Sequence, residues 1–404
     1  MGKIYLPPQV GYVIKKLENA GYEAYAVGGC VRDHLMGRQP GDYDVTTSAT
    51  PDEMLKVFSG DRVIETGLKH GTLTVLREGM PIETTTYRID GSYADGRHPD
   101  KVTFTPELRL DLCRRDFTVN AMAYSENKGI IDLFGGKEDL ENRIIRCVGS
   151  ADERFNEDGL RILRAMRFAS VLDFELDGEC EDSVRRLRHL LGRISRERIY
   201  TEMTKLLSGK GAGRILASFP EVISFIFPSL TREMIIHASE VIGNCPFDTE
   251  MRYAVLFSEL SEGDAARMID SLKPSRAEKG AVMRYHRYKD SCDYLAGEYE
   301  MCSLISKTDD DFVLSLARMQ AGCGKITSGE YLSAEKIYDA IKKRCAPRHL
   351  SDLAVDGRKL IELGYSGADI GHKLTLLLDG VMRGEIQNTE NELIKKAEND
   401  LKLK

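Results

Sequence analysis

The sequence predicts an α+β protein: a head with a mixed sheet over residues 1–150, then an all-helical remainder divided into a neck, 151–215, and a body and tail, 216–404. Three observations carry this. Short alternating or β-branched runs bounded by turn residues, such as Gly71-Thr72-Leu73-Thr74-Val75-Leu76 and Ile82-Glu83-Thr84-Thr85-Thr86-Tyr87, read as strands and cease near residue 150. From Ala151 onward apolar residues recur at helical spacing. A chain of 404 residues is long enough for about two to four domains with cores of their own.

Composition excludes several classes. An apolar share of 42% and a charged share of 30% are those of a soluble globular protein. No 18-residue apolar run and no signal peptide is present, so a cytoplasmic protein is expected, with no membrane partner. The nine cysteines are scattered without a CxxC pair, which argues against a zinc site or a disulfide framework and for reduced core residues. A net charge of -7 is the wrong sign for a general nucleic-acid binder. Its distribution says more: Ser183 to Arg214 holds nine Lys and Arg against Glu197 and Glu202. Such a stretch is either a solvated helix surface or a local grip on a nucleic-acid backbone.

In chain order, Pro7 to Ala20 reads as an amphipathic helix with Val10, Val13, Ile14 and Leu17 on one face. The apolar run Ala24-Tyr25-Ala26-Val27 ends in Gly28-Gly29, and a helix start follows from Cys30 to Met36. A strand, a glycine turn and a helix N-terminus form an anion site when they are not an ordinary tight turn, and Arg32 would add a contact to phosphate. Then comes Gly41-Asp42-Tyr43-Asp44-Val45-Thr46. Residues two apart on an extended strand share a face, so Asp42 and Asp44 stand roughly 7 Å apart at Cα. Two such anions repel unless a cation lies between them, and hard oxygen ligands suit Mg²⁺ held jointly with substrate phosphates.

These residues, Gly28-Gly29-Cys30-Val31-Arg32-Asp33 followed by Asp42-Tyr43-Asp44, resemble the GGxVRD and DxD pattern of the tRNA nucleotidyltransferase and poly(A) polymerase family. That family lies within the DNA polymerase beta superfamily, so the resemblance implies a polymerase-beta-like nucleotidyltransferase head. Later segments extend it. Thr50-Pro51-Asp52-Glu53 marks a helix start. Glu83 either adds a third carboxylate to the pair or is an edge-strand surface acid; the family carries an acid before its Thr-Thr. Arg88 to Lys101 is polar and glycine-rich, which predicts a mobile loop, and in the family a loop here is needed for the final A-adding step.

Leu112-Cys113-Arg114-Arg115-Asp116-Phe117-Thr118-Val119-Asn120-Ala121 resembles the family's RRDFTxNA motif. Adjacent arginines cannot share a helix face, so one is expected to turn to the site and the other outward. The resemblance gives Arg115 to the incoming nucleotide and Asp116 to the distinction of ribose from deoxyribose. Asp132 to Arg146 resembles the hinge-like element that leaves the head. Ala151 to Arg214 is expected to be helical throughout, opening with Asn156-Glu157-Asp158-Gly159-Leu160-Arg161-Ile162-Leu163-Arg164-Ala165-Met166-Arg167-Phe168-Ala169. Arg161, Arg164 and Arg167 recur every three residues and form one slowly winding stripe. The stripe is a solvated face or a nucleotide site; it matches the family's EDxxRxxRAxRFA motif, which implies the latter. Ile194 to Glu202 resembles the last shared motif, with a structural role. None of the eight histidines is followed by Asp, which argues against an attached phosphohydrolase. Val355 to Ile361 and Gly371 to Asn388 resemble a region that contacts the tRNA body in bacterial relatives.

The resemblance is to the bacterial, class II CCA tRNA nucleotidyltransferases. It implies template-independent addition of C, C and A to tRNA 3′ ends from CTP and ATP, with Asp42 and Asp44 holding two Mg²⁺ ions. Partners would be the acceptor end and body of tRNA, and not DNA. The rivals are a poly(A) polymerase, disfavoured by the acidic net charge and absence of a basic tail, and a CC-adding or A-adding specialist, the first disfavoured by the full-length loop. A catalytically silent RNA-binding protein is disfavoured by the retained acidic pair. Base selection follows from chemistry. C and A each present an exocyclic amino donor beside a ring nitrogen that accepts, whereas U and G present a carbonyl beside a ring N–H. A carboxylate that only accepts, next to a guanidinium that only donates, matches the first pair and mismatches the second. Asp158 and Arg161, three apart on the expected helix, are the matching residues.

Overall fold

Alternation decides how the head is built. The structure, a computed structural model, describes residues 4–91 and 102–402. Strand β1 (Ala24–Val27) is buried along its whole length. Ala24 and Ala26 enter one apolar cluster with Val45, Leu73, Val75 and Ile82, while Tyr25 and Val27 enter a second with Tyr87, Leu112 and Ala123. A two-residue side-chain period does this to a strand covered on both faces. The helix Pro8–Asn19 supplies Val10, Val13, Ile14 and Leu17 to the first cluster, each worth roughly 1.5–3 kcal/mol on burial.

The strands that follow are β2 (Asp44–Thr47), β3 (Arg62–Ile64), β4 (Thr72–Arg77), β5 (Met80–Thr86), β6 (Arg88–Asp90), β7 (Val102–Phe104), β8 (Met122–Ser125) and β9 (Gly129–Asp132). Seven form one sheet in the order β3-β4-β5-β2-β1-β8-β9. It is mixed because β2 and β5 run parallel, whereas the flanking pairs are antiparallel. Between β2 and β3 the helix Pro51–Val57 starts with Pro at its first turn and a capping box between Thr50 and Glu53, which satisfies amide groups the helix itself cannot.

Two expectations change here. The segment Arg88 to Lys101 was expected to be a loop from end to end, but Arg88–Asp90 is strand β6 and pairs antiparallel with β7. Residues 92–101 lie outside the described residues. Nor is Ala151 to Arg214 helical throughout. Two short strands, β10 (Ile144–Ile145) and β11 (Glu175–Leu176), pair in parallel, and the first helix stops at Glu157 before a second begins at Leu160. The break has a packing cause. A Cβ on Gly159 would lie 2.9 Å from Leu190 Cβ and 3.2 Å from the Leu190 carbonyl oxygen, so the chain closes there on the 3₁₀ segment Arg188–Arg193 as only glycine permits.

The chain forms two compact units, Met1–Ser239 with Arg267–Pro274, and Glu240–Ala266 with Ser275–Lys404. In the first, the helix Leu160–Leu172 buries Ile162, Leu163, Ala165, Met166 and Ala169 and packs against the helix Arg196–Leu207. The second is helical. Its helices Arg276–Tyr288 and Ser328–Lys343 open on capping boxes made by Ser275 with Glu278 and Thr327 with Glu330, and Leu353, Leu360, Leu377, Leu378 and Leu393 share a core. No helix among the described residues is long and apolar enough to cross a membrane.

Candidate active site

Register brings the acids together. Asp44 opens β2 opposite Val27, and on the other side its partner in the parallel ladder is Glu83 of β5. Paired residues on adjacent strands, about 4.8 Å apart, project to the same face. Tyr43 turns inward to the apolar cluster, so Asp42 and Asp44 point outward beside Glu83, which is exposed between buried Ile82 and Thr84. β5 lies inside the sheet, between β4 and β2, so Glu83 is not an edge-strand acid and stands next to Asp44. The price of this crowding is visible in Asp44. Its carboxyl reaches solvent, yet it is pushed up to about 6, first by burial within the surrounding walls, then by the charges of Asp42 and Glu83. Arg115 offsets them in part. Behind it the Cys30 thiol is pushed up to about 11, by burial and then by Asp44, which leaves it a protonated packing group.

Gly28 keeps the place of Arg115. Its φ is 78°, and an added Cβ would lie 3.2 Å from Arg115 Nη1, so a side chain there meets both backbone strain and the guanidinium. Gly29 begins the helix Gly29–Leu35. Arg32 is buried: Nε and Nη2 contact Asp33 Oδ1 at 2.9 and 2.8 Å, Nη1 donates to Asn120 Oδ1 at 2.6 Å, and the guanidinium stands 5.3 Å from the Phe168 ring centroid.

The expected division of Arg114 and Arg115, one inward and one outward, is overturned. Both rest on Asp111, Arg114 at 2.9 Å and Arg115 at 3.4 Å, because Asp111 lies three and four residues back at the end of the helix Leu108–Cys113. Asp111 is fully buried. Burial acts to raise its pKa, but Arg114 and Arg115 outweigh it and the carboxyl stays below its ordinary range. It also accepts from Thr46 Oγ1 at 3.1 Å, two residues along β2 from Asp44.

Asp116 is saturated. Oδ2 accepts Nε and Nη2 of Arg164 at 2.8 and 2.5 Å, and Oδ1 accepts the Phe117 amide at 2.9 Å and Asn120 Nδ2 at 3.3 Å. Burial would raise its pKa; Arg164 and then Arg161 hold it at about 2. The arginine stripe is likewise not a solvated face. Arg161 donates to Glu157 Oε2 at 2.5 Å and to the carbonyls of Arg154 and Arg114. Arg164 also approaches Glu202 at 3.9 Å, and Arg167 lies 3.1 Å from Glu202 and 3.9 Å from the Phe168 centroid.

Asp158 and Arg161 do not share one helix. Asp158 is in the break between the helices Ala151–Glu157 and Leu160–Leu172, where Oδ1 accepts the Leu160 amide at 3.0 Å and Oδ2 accepts Arg198 Nη2 at 2.7 Å. The break leaves its carboxylate largely buried at the start of the helix that carries Arg161, held by these two donors. In the basic stretch, Arg185 is bound to Glu181 and Glu221, Arg186 to Asp152, Arg198 to Asp158 and Arg214 to Asp173 and Glu175. Arg193, Arg196 and Lys205 are exposed. Sequence reasoning missed Asp111, Asn120, Phe168 and Arg198 as parts of the site. Helical spacing from Arg114 and Arg115 pointed to Asp111; nothing in the sequence joined Arg198 to Asp158.

Comparison with known proteins places the chain among relatives. Residues 24–146 match the Poly A polymerase head domain, and residues 173–233 match the "Probable RNA and SrmB- binding site of polymerase A". The chain is similar to the CCA-adding enzyme of Lactobacillus helveticus, 35% identical over 96% of this chain and 95% of that protein. It is 36% identical to that of Geobacillus kaustophilus over 94% and 93%. The crystal structure of the Bacillus stearothermophilus CCA-adding enzyme in complex with CTP superposes with a TM-score of 0.84 at 31% identity, covering 99% of both chains.

Proposed function

The chain belongs to the CCA-adding enzymes, and we propose that Asp42, Asp44 and Glu83 form its reaction centre while Asp158 and Arg161 choose the base. It is a nucleotidyltransferase that adds C, C and A to tRNA 3′ ends from CTP and ATP without a nucleic-acid template, releasing pyrophosphate. The observation that carries the site assignment is the register of Asp44 with Glu83, two anions side by side with Asp42 two residues away.

The donor set fits Mg²⁺. Its oxygens are hard ligands, and the raised Asp44 marks an uncompensated cluster of negative charge. Among the described residues no group of three His, Cys, Asp or Glu side chains converges to hold an ion unaided; this suits a cation that takes one or two carboxylates and completes its shell with water and phosphate oxygens. Asp42 and Asp44 would hold it, with Glu83 beside them. When bound, Mg²⁺ supplies charge neutralisation of the triphosphate and activation of the attacking 3′-hydroxyl.

The protein's own groups do the rest. Arg115, held by Asp111 over Gly28, lies where it can pair with a phosphate next to the acids. Arg32, Asp116 and Arg164 form a connected floor under the nucleotide. Asp158 accepts from the exocyclic amino group of C or A, and Arg161 donates to the adjacent ring nitrogen. Residues 1–150 are thus the catalytic head, 151–215 the neck that selects the nucleotide, and 216–404 the helical body and tail that hold tRNA, in the cytoplasm.

The test is a labelled tRNA lacking its terminal CCA, incubated with Mg²⁺ and CTP, ATP or both. CTP alone is expected to give two additions, and both nucleotides the complete CCA end. A homopolymer from ATP alone would make the protein a poly(A) polymerase, and a stop after CC with ATP present would make it a CC-adding specialist.

A further inference from the structure

We propose that a tyrosine-walled cavity in the second compact unit receives one unpaired base of the tRNA. This rests on the assignment of residues 216–404 to holding tRNA. The cavity has a volume of about 310 Å³, and Tyr288, Tyr294 and Tyr299 line it. Ligand sites run from roughly 300 to 1,000 Å³, so a space at the bottom of that range suits one ring system rather than a whole nucleoside triphosphate.

Each of the three rings is held by a partner of its own. Tyr288 ends the helix Arg276–Tyr288 and meets the Phe312 ring edge-on, with 5.8 Å between centroids. Tyr294 is buried and donates to Gln320 Oε1 at 2.6 Å. Tyr299 donates to Asp379 Oδ1 at 2.7 Å, and the Arg383 guanidinium stands 4.2 Å from its ring centroid. Gln320 does more than hold Tyr294. It is fully buried, and its Nε2 lies 3.3, 3.2 and 2.9 Å from the carbonyl oxygens of Tyr288, Lys289 and Ser291. One amide thus fixes the turn that leaves Tyr288 and the ring of Tyr294 beyond it. A buried group with both ends occupied specifies a single geometry, so little ordering is left to be done when a ligand enters.

The lining has the chemistry of a base site. Aromatic walls take the flat face of any base. Asp293 and Glu300 also line the cavity, and as acceptors they favour a base that carries an exocyclic amino group. Lys307, exposed at the end of the helix Glu298–Lys307, adds a cation for the phosphate beside that base. The ligand class is therefore an amino-bearing heterocycle joined to a phosphate, which tRNA presents wherever a base is left unpaired.

The experiment compares Tyr299→Leu, which removes a wall, Tyr299→Phe, which keeps it, and Ser303→Trp, which fills the space from another lining position. It measures tRNA affinity at several salt concentrations and KM for CTP and ATP, with thermal unfolding to verify that each full-length variant is folded. Tyr299→Leu and Ser303→Trp are each expected to weaken tRNA binding roughly tenfold, the order of one lost stacked base. Their salt slopes and their KM values for CTP and ATP should not change, and Tyr299→Phe should bind tRNA as the unaltered protein does. Unchanged tRNA affinity in folded Tyr299→Leu and Ser303→Trp overturns the proposal. An equal loss in Tyr299→Phe also overturns it, since the hydroxyl and not the ring would then be what matters. A raised KM for CTP or ATP with tRNA affinity intact gives the cavity to a free nucleotide and overturns it as well. Hydrogen exchange with and without tRNA separates this from the assignment beneath it. If tRNA protects no amides in residues 216–404, that assignment fails; if it protects them while both cavity variants bind normally, only the base site is wrong.

Discussion

At the scale of single residues, Asp44 records the conflict between folding and chemistry. A carboxyl raised to about 6 from an ordinary 3.8 binds its proton more tightly in the folded protein than in the unfolded chain. The fold is therefore most favoured below the unfolded value and loses stability as pH rises between the two. Without metal, Asp44→Asn is expected to be more stable than the unaltered protein at pH 8 by about 1 kcal/mol, after discounting for the solvent that Asp44 reaches, and equal to it at pH 3.5. Thermal unfolding across that range measures it; equal stability at pH 8 would mean that the three acids do not repel. Added Mg²⁺ should stabilise the unaltered protein and not the variant. The same variant is expected to incorporate neither CTP nor ATP while still binding tRNA, which a gel-shift assay reads directly. Asp116 has the opposite character. It is the buried partner of Arg164, so Asp116→Ala leaves a cation uncompensated and is expected to cost about 3–5 kcal/mol, seen as a lower denaturation midpoint. Asp158→Ala should lose the preference for CTP over UTP and ATP over GTP, whereas Arg161→Ala should lower incorporation of both correct nucleotides.

At the scale of elements, helices legible in the sequence acquired their function from breaks and pairings that were not. The expected helix from Ala151 has its stop at Asp158-Gly159, and that stop aims the carboxylate. The basic stretch divides in two: Arg185, Arg186, Arg198 and Arg214 hold the structure together, and Arg193, Arg196 and Lys205 remain exposed. Charge reversal at Arg193 and Arg196 is therefore expected to weaken tRNA binding and flatten its salt dependence by roughly one unit per lost contact, with nucleotide affinity unchanged. Filter binding at several salt concentrations decides this, and an unaltered slope places the RNA elsewhere. Strands β6 and β7 frame residues 92–101. Replacing residues 92–99 by a short glycine-serine joint is expected to leave CC addition intact and end the product one residue short; products completed to CCA at the normal rate would show that this segment has no part in A addition.

At the scale of the whole molecule, an acidic protein of net charge -7 has to hold an acidic polymer, and it does so locally. Long-range repulsion should keep non-specific binding weak, so duplex DNA is expected to compete poorly with tRNA at physiological salt; equal competition would refute a grip tuned to tRNA. By itself the sequence determined the α+β class, the head strands at Ala24–Val27, 72–76 and 82–86, the helix start at Thr50, and the acidic pair Asp42 and Asp44, because these depend on side-chain period, turn chemistry and short motifs along the chain. The tertiary structure decided the placing of Glu83 beside Asp44, the burial of Arg32, and the pairing of Arg198 with Asp158. Local sequence reports which face a residue takes on its own strand or helix. It does not report which distant face comes to meet it: strand register and helix docking are set by packing of the entire core, which brings Glu83 to Asp44, Asn120 to Arg32 and Arg198 to Asp158.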